Sequence, residues 1–124
     1  YLGEFIRNGA QALFIVTNDG WWKNTPGYRQ HFSFARLRAI EFRRWVARSA
    51  NTGISGVISP TGKVIESADW DKQTSITQQL TLNNRITFYV KYGDSIGRVA
   101  LFVAILGLLY YVAYSAKKKN HLVN

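Results

Sequence analysis

Four polar and aromatic residues follow an apolar run near the N-terminus, where they could line a ligand pocket. Residues 12–17 (ALFIVT) are rich in branched and aromatic side chains, which predicts a strand buried on both faces. Asn18, Asp19, Trp21 and Trp22 come directly after this run. Because ligands of open α/β sheets bind beyond the carboxyl ends of strands, these residues are candidates for a substrate pocket. The alternative is an ordinary Asx turn with its aromatic rings folded onto the surface.

The other side chains that could do chemistry favour structural roles. His31 has no second His or carboxylate four residues away, so metal-ligand spacing is absent and a structural histidine is predicted. Glu41 lies among several arginines, which favours an ionised, ion-paired carboxylate. Ser55 lies in no nucleophile motif, and the chain has no cysteine to act as a nucleophile or metal ligand. We therefore expect no metal site, and these residues alone do not identify an enzyme class.

An amphipathic helix is predicted to position many of these residues, from Tyr28 to about Arg44 or beyond. Its apolar residues recur at alternating spacings of four and three, at Tyr28, Phe32, Ala35, Ala39, Phe42 and Val46. The neighbouring stripe carries His31, Phe34, Arg38, Glu41 and Trp45. Arg38 and Glu41 lie one turn apart beside the apolar face, so we predict a buried pair that matters for folding.

Further elements complete a mixed α/β layer. Residues 1–8 are predicted to form a helix that Gly9 ends. Residues 54–59 and 63–67 flank Pro-Thr-Gly and predict a β-hairpin, and residues 74–82 predict a weaker strand.

The chain has 124 residues, 47% of them hydrophobic, which is enough for one domain and excludes a disordered tail. Lys and Arg number 16 against 7 Asp and Glu, giving a net charge of +9. No helix-turn-helix spacing, zinc-finger ligand set or RNA-binding aromatic signature accompanies this charge, so we expect no nucleic-acid partner. The basic residues are interpreted as a solvated, Arg-rich helix face and a Lys cluster that flanks a membrane.

The C-terminal part predicts a transmembrane helix. Residues 96–116 contain only Arg98 as a charged residue, and at about 1.5 Å per residue they span about 31 Å, the thickness of a bilayer core. A buried core helix is the alternative. The predicted organisation is a globular part over residues 1–94, a membrane helix over 95–116 and a basic tail over 117–124. The lysines at 117–119 favour a cytoplasmic tail.

Two stretches together resemble one enzyme family. The segments GAQALFIVTNDGWW (residues 9–22) and QHFSFARLRAIEFRRWVARSANTGISGVISPTGKVI (residues 30–65) are similar to the C-terminal part of apolipoprotein N-acyltransferases. These enzymes are the membrane branch of the nitrilase, or carbon–nitrogen hydrolase, superfamily. The resemblance covers residues 1–94, and the terminal helix matches the family's last span. It implies the C-terminal part of an αββα sandwich on the periplasmic side of the bacterial inner membrane.

The resemblance also implies a reaction. An acyl chain passes from a phospholipid donor to the N-terminal Cys amine of a lipidated apolipoprotein, through a thioester on the enzyme and without a cofactor. The family's Cys nucleophile, Glu base and Lys match positions upstream of Tyr1. Because the chain also lacks an initial Met, we expect it to be a fragment that is inactive alone.

The resemblance assigns roles to three groups of residues. The post-strand loop of the substrate pocket corresponds to Asn18, Asp19 and Trp21. The next strand end, near the nucleophile, corresponds to Asn51, Gly53 and Ser55. The helix motif, interpreted as structural, corresponds to Arg36, Arg38 and Glu41.

Two other functions remain open from the sequence. One is a membrane-anchored, nitrilase-like amidase, and the other is a tail-anchored interaction module whose basic helix binds anionic partners. The membrane helix and the paired tryptophans favour a lipid substrate. The loop over residues 18–28 is predicted to be a mobile, lipid-facing gate, because donor and acceptor must enter one site in turn.

Overall fold

The computed structural model describes residues 1–121, apart from the side chains of residues 116 and 119–121. Residues 122–124 of the predicted basic tail lie outside the described residues. The chain divides into two compact units, the first covering Tyr1–Lys91 and the second beginning at Tyr92.

The first unit is built on one four-stranded mixed sheet. Its strands are β1 (Ala12–Thr17), β2 (Trp45–Ala50), β3 (Ser55–Ile58) and β4 (Val64–Ala68), in the spatial order β1-β2-β3-β4. β1 and β2 are parallel, and the pairs β2–β3 and β3–β4 are antiparallel. Parallel neighbours need a crossover connection, which a helix between them supplies. The predicted α/β fold and the predicted hairpin are confirmed.

Two helices pack with this sheet, α1 (Leu2–Arg7) and α2 (Pro26–Phe42). Thr25 caps α2 by accepting a hydrogen bond from the Gly27 backbone nitrogen at 3.4 Å, and Pro26 occupies the first helical position. The helix therefore begins two residues before Tyr28, so the loop after β1 is shorter than predicted. The buried face of α2 is the predicted one up to Phe42, and the core cluster also includes Leu13, Val46 and Ile58.

The predicted extension of this helix beyond Phe42 is wrong. Arg43 adopts a left-handed conformation with φ of 50° and ends the helix. Trp45 and Val46 then begin β2. Val46 is fully buried on this strand. A buried strand residue is apolar too, so Val46 fits the helical spacing of the preceding residues by coincidence.

Two strand predictions also need correction. β1 is covered on one face only, because Leu13 is buried whereas Phe14 and Val16 are 76% and 87% exposed. Residues 74–82 form no strand. A short helix that the sequence did not predict, α3 (Phe88–Tyr92), follows this segment. Val90 of α3 is buried in the same core, and Arg7 donates a hydrogen bond to its carbonyl oxygen at 2.9 Å.

The interpretation of the arginines as one solvated helix face is wrong for Arg44 and Arg48, which are only 1% and 4% exposed. Arg44 precedes β2 and Arg48 lies within it, so neither belongs to a helix. The Arg44 guanidinium donates to the carbonyl oxygen of Ala10 at 2.9 Å, to Asn83 Oδ1 at 2.8 Å and to the carbonyl oxygen of Arg85 at 3.0 Å. Burial lowers the pKa of the Arg44 guanidinium, since neutral acceptors replace water around the charge.

The second unit contains helix α4 (Ser95–His121). Asp94 caps it, because its Oδ1 accepts a hydrogen bond from the Gly97 backbone nitrogen at 2.8 Å. Ser95–Ser115 comprises 21 residues with a mean hydropathy of 2.1, which is long and apolar enough to cross a membrane. The helix continues past the apolar segment through Lys117 and Lys118.

Candidate functional site

The turns after β1 and β2 meet at one edge of the sheet. The two strands are parallel and in register, with Thr17 opposite Ala50. The Asn51 backbone nitrogen donates to the Thr17 carbonyl oxygen at 3.0 Å, and the Asp19 nitrogen donates to the Thr52 carbonyl oxygen at 2.8 Å. The structure therefore brings both predicted groups of pocket residues to the same sheet edge, as expected for parallel strands.

A buried ion pair lies beneath these turns. Asp19 is 0% exposed, and Arg48 Nη2 lies 2.8 Å from its Oδ2 and 3.1 Å from its Oδ1. Arg48 Nη1 donates to the Ile54 carbonyl oxygen at 2.6 Å, and its guanidinium lies 5.7 Å from the Phe32 ring centre. The pair thereby ties β1, β2 and the turn that precedes β3 together.

His31 joins this pair from helix α2. Its Nδ1 lies 2.8 Å from Asp19 Oδ1 and 3.0 Å from Arg48 Nη2. Because a carboxylate only accepts hydrogen bonds, Nδ1 must carry a hydrogen for this contact with Asp19 to be favourable. His31 therefore has the buried Asp19 carboxylate as a partner.

Gly53 is required where the two turns meet. Its φ is +130°, and a Cβ at this position would lie 2.4 Å from Asp19 Oδ2. Any side chain would therefore strain the backbone and also displace the buried carboxylate. The conformation of the turn after β2 thus depends on the position of Asp19.

The two tryptophans lie in different environments on a 3₁₀ turn (Gly20–Trp22). The Trp22 ring centre lies 4.9 Å from that of His31, and a Cβ on Gly27 would lie 2.7 Å from Trp22 Cδ1. Trp22 therefore packs against the start of α2. Trp21 is 84% exposed and presents its ring to solvent, where it can contact a ligand or a lipid surface.

The remaining pocket candidates make local contacts. Asn18 Oδ1 accepts a hydrogen bond from the Gly20 nitrogen at 3.0 Å, which forms an Asx turn. Ser55 Oγ accepts from the Ala50 nitrogen at 3.0 Å. Ser55 also lines a shallow cavity of about 250 Å³ on the sheet face that carries Phe14 and Val16.

The helix-motif residues make contacts away from this sheet edge. Arg36 Nε donates to the Gly62 carbonyl oxygen at 2.9 Å and so holds α2 to the hairpin loop. Arg38 and Glu41 form an ion pair of 2.5 Å, with side chains 36% and 24% exposed. The predicted pair is present but only partly buried, which places its contribution nearer to that of a surface ion pair.

Sequence reasoning missed Arg48, the buried partner of Asp19. Within Trp45–Ala50 it lies two residues after Val46, so both side chains point to the same face of a strand. An arginine on a buried strand face requires a carboxylate or several carbonyl oxygens. The two-residue spacing between Val46 and Arg48 is therefore the sequence signal for this buried arginine. The signal is lost when Val46 is interpreted as part of the preceding helix.

The exposed side chains at this sheet edge can contact a ligand. Across residues 1–121 no group of three or more His, Cys, Asp or Glu is placed to hold a metal ion. Exposed side chains at the sheet edge include Asn18, Trp21 and Asn51, which offer amide hydrogen bonds and an aromatic surface, and Trp22 is 40% exposed.

Comparisons with known proteins identify relatives of this chain. The carbon–nitrogen hydrolase family matches residues 5–88. The chain is 41% identical over 117 residues to an apolipoprotein N-acyltransferase of Chlorobaculum tepidum, covering 94% of this chain and 22% of that protein. Proteins of the same name from Thermotoga maritima and Nitrosomonas europaea are 31% and 32% identical, covering 84% and 90% of this chain and 21% and 22% of those proteins.

The chain thus spans about a fifth of the length of these relatives. The family match includes the whole sheet, α2 and the buried Asp19–Arg48 pair. The resemblance noted in the sequence is confirmed, and the chain belongs to the carbon–nitrogen hydrolase family.

Proposed function

We propose that this chain is the C-terminal segment of an apolipoprotein N-acyltransferase. The whole protein would transfer an acyl chain from a phospholipid to the N-terminal Cys amine of a lipidated apolipoprotein. The observation that carries this proposal is the extent of the similarity. Because 117 of the 124 residues are aligned with the Chlorobaculum tepidum protein, the alignment runs past the family match and into α4. An amidase reaction within the family would not call for an apolar helix of this length, so the alignment favours the acyltransferase.

The chain would contribute one wall of the active site rather than its reacting group. It contains no cysteine, so it cannot itself form the thioester that the proposed reaction requires. We therefore expect it to be inactive alone. In the whole protein a thiolate would attack the phospholipid ester and release a lysophospholipid. The lipoprotein amine would then attack the thioester, form the amide and return the thiol.

The sheet edge with its two turns is proposed to form that wall. Asn18, Trp21 and Asn51 would face the substrates, whereas Asp19, Gly53 and Trp22 would hold the turns in place. Asp19 and Gly53 are buried, and Trp22, although 40% exposed, packs against His31 and the start of α2. The segment from Asn18 to Thr25 would act as the gate through which donor and acceptor enter in turn, with Trp21 against the lipid.

Replacing Trp21 with alanine in the whole protein tests this assignment. We expect acyl transfer to fall about two- to tenfold, since an aromatic contact is worth about 0.5–1.5 kcal/mol. The ring is 84% exposed, so folding should be unchanged. The measurement is transfer of a labelled acyl chain from phospholipid vesicles to a diacylated lipopeptide, at equal amounts of folded protein.

Phe34→Ala is the matched control, because Phe34 is an exposed aromatic residue on α2, away from the gate segment. Its activity should equal that of the parent protein. Full activity of Trp21→Ala, or equal losses in both variants, would remove Trp21 from the substrate-facing wall.

A second test concerns orientation. We propose that α4 crosses the bacterial inner membrane, with the globular part on the periplasmic side and the lysines after the helix in the cytoplasm. The apolar Ser95–Ser115 segment and the basic residues that follow support this arrangement. A reporter fused after Asn124 should show cytoplasmic behaviour, and a periplasmic signal would reverse the orientation.

A further inference from the structure

A second groove lies at the opposite edge of the sheet from the candidate site. It encloses about 470 Å³ and is lined by Arg43, Pro60, Asn83, Arg85, Ile86 and Thr87. Arg43 follows the end of α2 and precedes β2, so the groove lies where β2 begins rather than where it ends. We name it the Arg43–Arg85 groove. The proposed acyl-transfer function does not use it.

The charge of this groove is not compensated by the acidic residues that the structure describes. Arg43 and Arg85 are both exposed, and neither belongs to an ion pair within residues 1–121. Glu41, two residues before Arg43, is already paired with Arg38. The Arg43 guanidinium donates to the Pro60 carbonyl oxygen at 3.4 Å, which leaves its charge uncompensated. Two arginines that line one concave surface and have no carboxylate partner among the described residues attract anions, phosphate groups in particular.

The end of helix α2 would ordinarily oppose anion binding, because its terminal carbonyl groups carry partial negative charge. The buried guanidinium of Arg44 removes this obstacle. It donates to the carbonyl oxygens of Phe42 and Arg43 at 3.2 and 3.3 Å. Its charge offsets the helix end, so the positive charge of the groove remains available to a ligand.

Both walls of the groove are held in place. Asn83 Nδ2 donates to the Arg43 carbonyl oxygen at 2.9 Å, and Arg44 Nη1 donates to Asn83 Oδ1 at 2.8 Å and to the Arg85 carbonyl oxygen at 3.0 Å. These bonds fix the segment around Arg85 against the end of α2. The two guanidinium-bearing segments are therefore preorganised relative to each other, which lowers the entropic cost of binding an anion between them.

The groove lies close in sequence to the segment that could cross a membrane. Arg85 is ten residues before Ser95, and the intervening Phe88–Tyr92 segment is helical. Ile86, which lines the groove, is 49% exposed. Exposed apolar and cationic side chains together are typical of surfaces that contact lipid headgroups.

We propose that the Arg43–Arg85 groove binds the phosphate groups of anionic phospholipids at the bilayer surface and so anchors the globular part beside the membrane. This inference rests on the proposed function in one respect only, namely that α4 crosses the membrane. Each cationic residue near an anionic lipid surface contributes up to about a fivefold preference, so the pair should enrich anionic lipid by between about fivefold and about 25-fold over zwitterionic lipid.

The test is photo-crosslinking from position 86 of the whole protein in nanodiscs. A benzoylphenylalanine at Ile86 should crosslink phosphatidylglycerol at least about fivefold more than phosphatidylcholine. Arg43→Gln with Arg85→Gln should reduce the phosphatidylglycerol yield to the phosphatidylcholine level. Arg43→Lys with Arg85→Lys should keep the preference, because charge alone supplies it. The matched control is Arg29→Gln with Lys72→Gln, two exposed basic residues outside the groove that should leave the yield unchanged.

Equal yields from the two lipids, or an equal loss in the control pair, would overturn the proposal. Inorganic phosphate binding that Arg43→Gln with Arg85→Gln removes, without a preference for phosphatidylglycerol in the nanodiscs, would also overturn it, since the groove would then be a site for a soluble anion. Acyl transfer measured on the same nanodiscs distinguishes failure of the proposed acyltransferase function from failure of the lipid-binding groove. An inactive parent protein with preferential crosslinking would contradict the proposed function and leave the groove supported.

Discussion

Asp19→Asn is expected to lower the free energy of unfolding by about 3–5 kcal/mol, although the two side chains have nearly the same shape. The change leaves the Arg48 guanidinium, whose side chain is only 1% exposed, without its counter-charge. An uncompensated buried charge is the physical reason for so large an effect. The contact between Asp19 and His31 would also weaken, because an amide oxygen accepts a hydrogen bond less strongly than a carboxylate.

The measurement is the amount and thermal midpoint of folded whole protein in detergent. Glu41→Gln is the matched control, since it also neutralises an ion-paired carboxylate but at a partly exposed site, where the expected loss is about 0–1 kcal/mol. Arg48→Met combined with Asp19→Asn should recover part of the loss by removing the unpaired charge. An Asp19→Asn protein as stable as the Glu41→Gln protein would contradict the role of the buried pair.

Arg44→Met is the second change from which we expect a large effect, about 3 kcal/mol or more. The methionine would fill much of the space, but the groups that Arg44 binds would lose their donor. They include the carbonyl oxygens of Ala10 and Arg85 and the side chain of Asn83. Each buried polar group left unsatisfied costs about 1–3 kcal/mol. The segment around Arg85 should also become more mobile, because two of these bonds hold it to the end of α2.

Hydrogen exchange of the Arg85 region and the thermal midpoint together test this expectation. Arg36→Met is the matched control, because the exposed Arg36 makes one hydrogen bond to the Gly62 carbonyl oxygen and should cost about 1 kcal/mol. Faster exchange confined to the residues after Leu82 would support the structural role of Arg44. An Arg44→Met protein with the parent's midpoint and exchange would refute it.

The elements predicted from the sequence are those in which one pattern dominates. The hairpin follows from two apolar runs around Pro60-Thr61-Gly62, and the core face of α2 follows from its helical spacing. β2 was missed because Val46 continues that spacing by coincidence, whereas the end of the helix depends on one residue in a left-handed conformation, Arg43. Arginine is not a residue type that signals such an end. Residues 74–82 alternate like a strand but find no strand partner.

The candidate site was predictable in its location but not in its internal contacts. Residues after a buried strand mark a sheet edge, and Asn18 and Asp19 lie there as expected. That Asp19 turns inward could not be deduced, since it depends on Arg48, which lies 29 residues away in sequence. The sequence shows residue types, whereas burial of a carboxylate depends on the cation that tertiary structure places beside it.

The open edge of β1 has a consequence for producing this chain in isolation. Among the described strands, β1 pairs only with β2, so its other backbone edge is unpaired. Ala12–Thr17 is a six-residue segment without charge, proline or glycine, and its Phe14 and Val16 side chains face solvent. Such segments pair with copies of themselves and stack into cross-β assemblies. Expressed without a partner for that edge, the chain should self-associate through β1, and a lysine at Val16 should keep it monomeric.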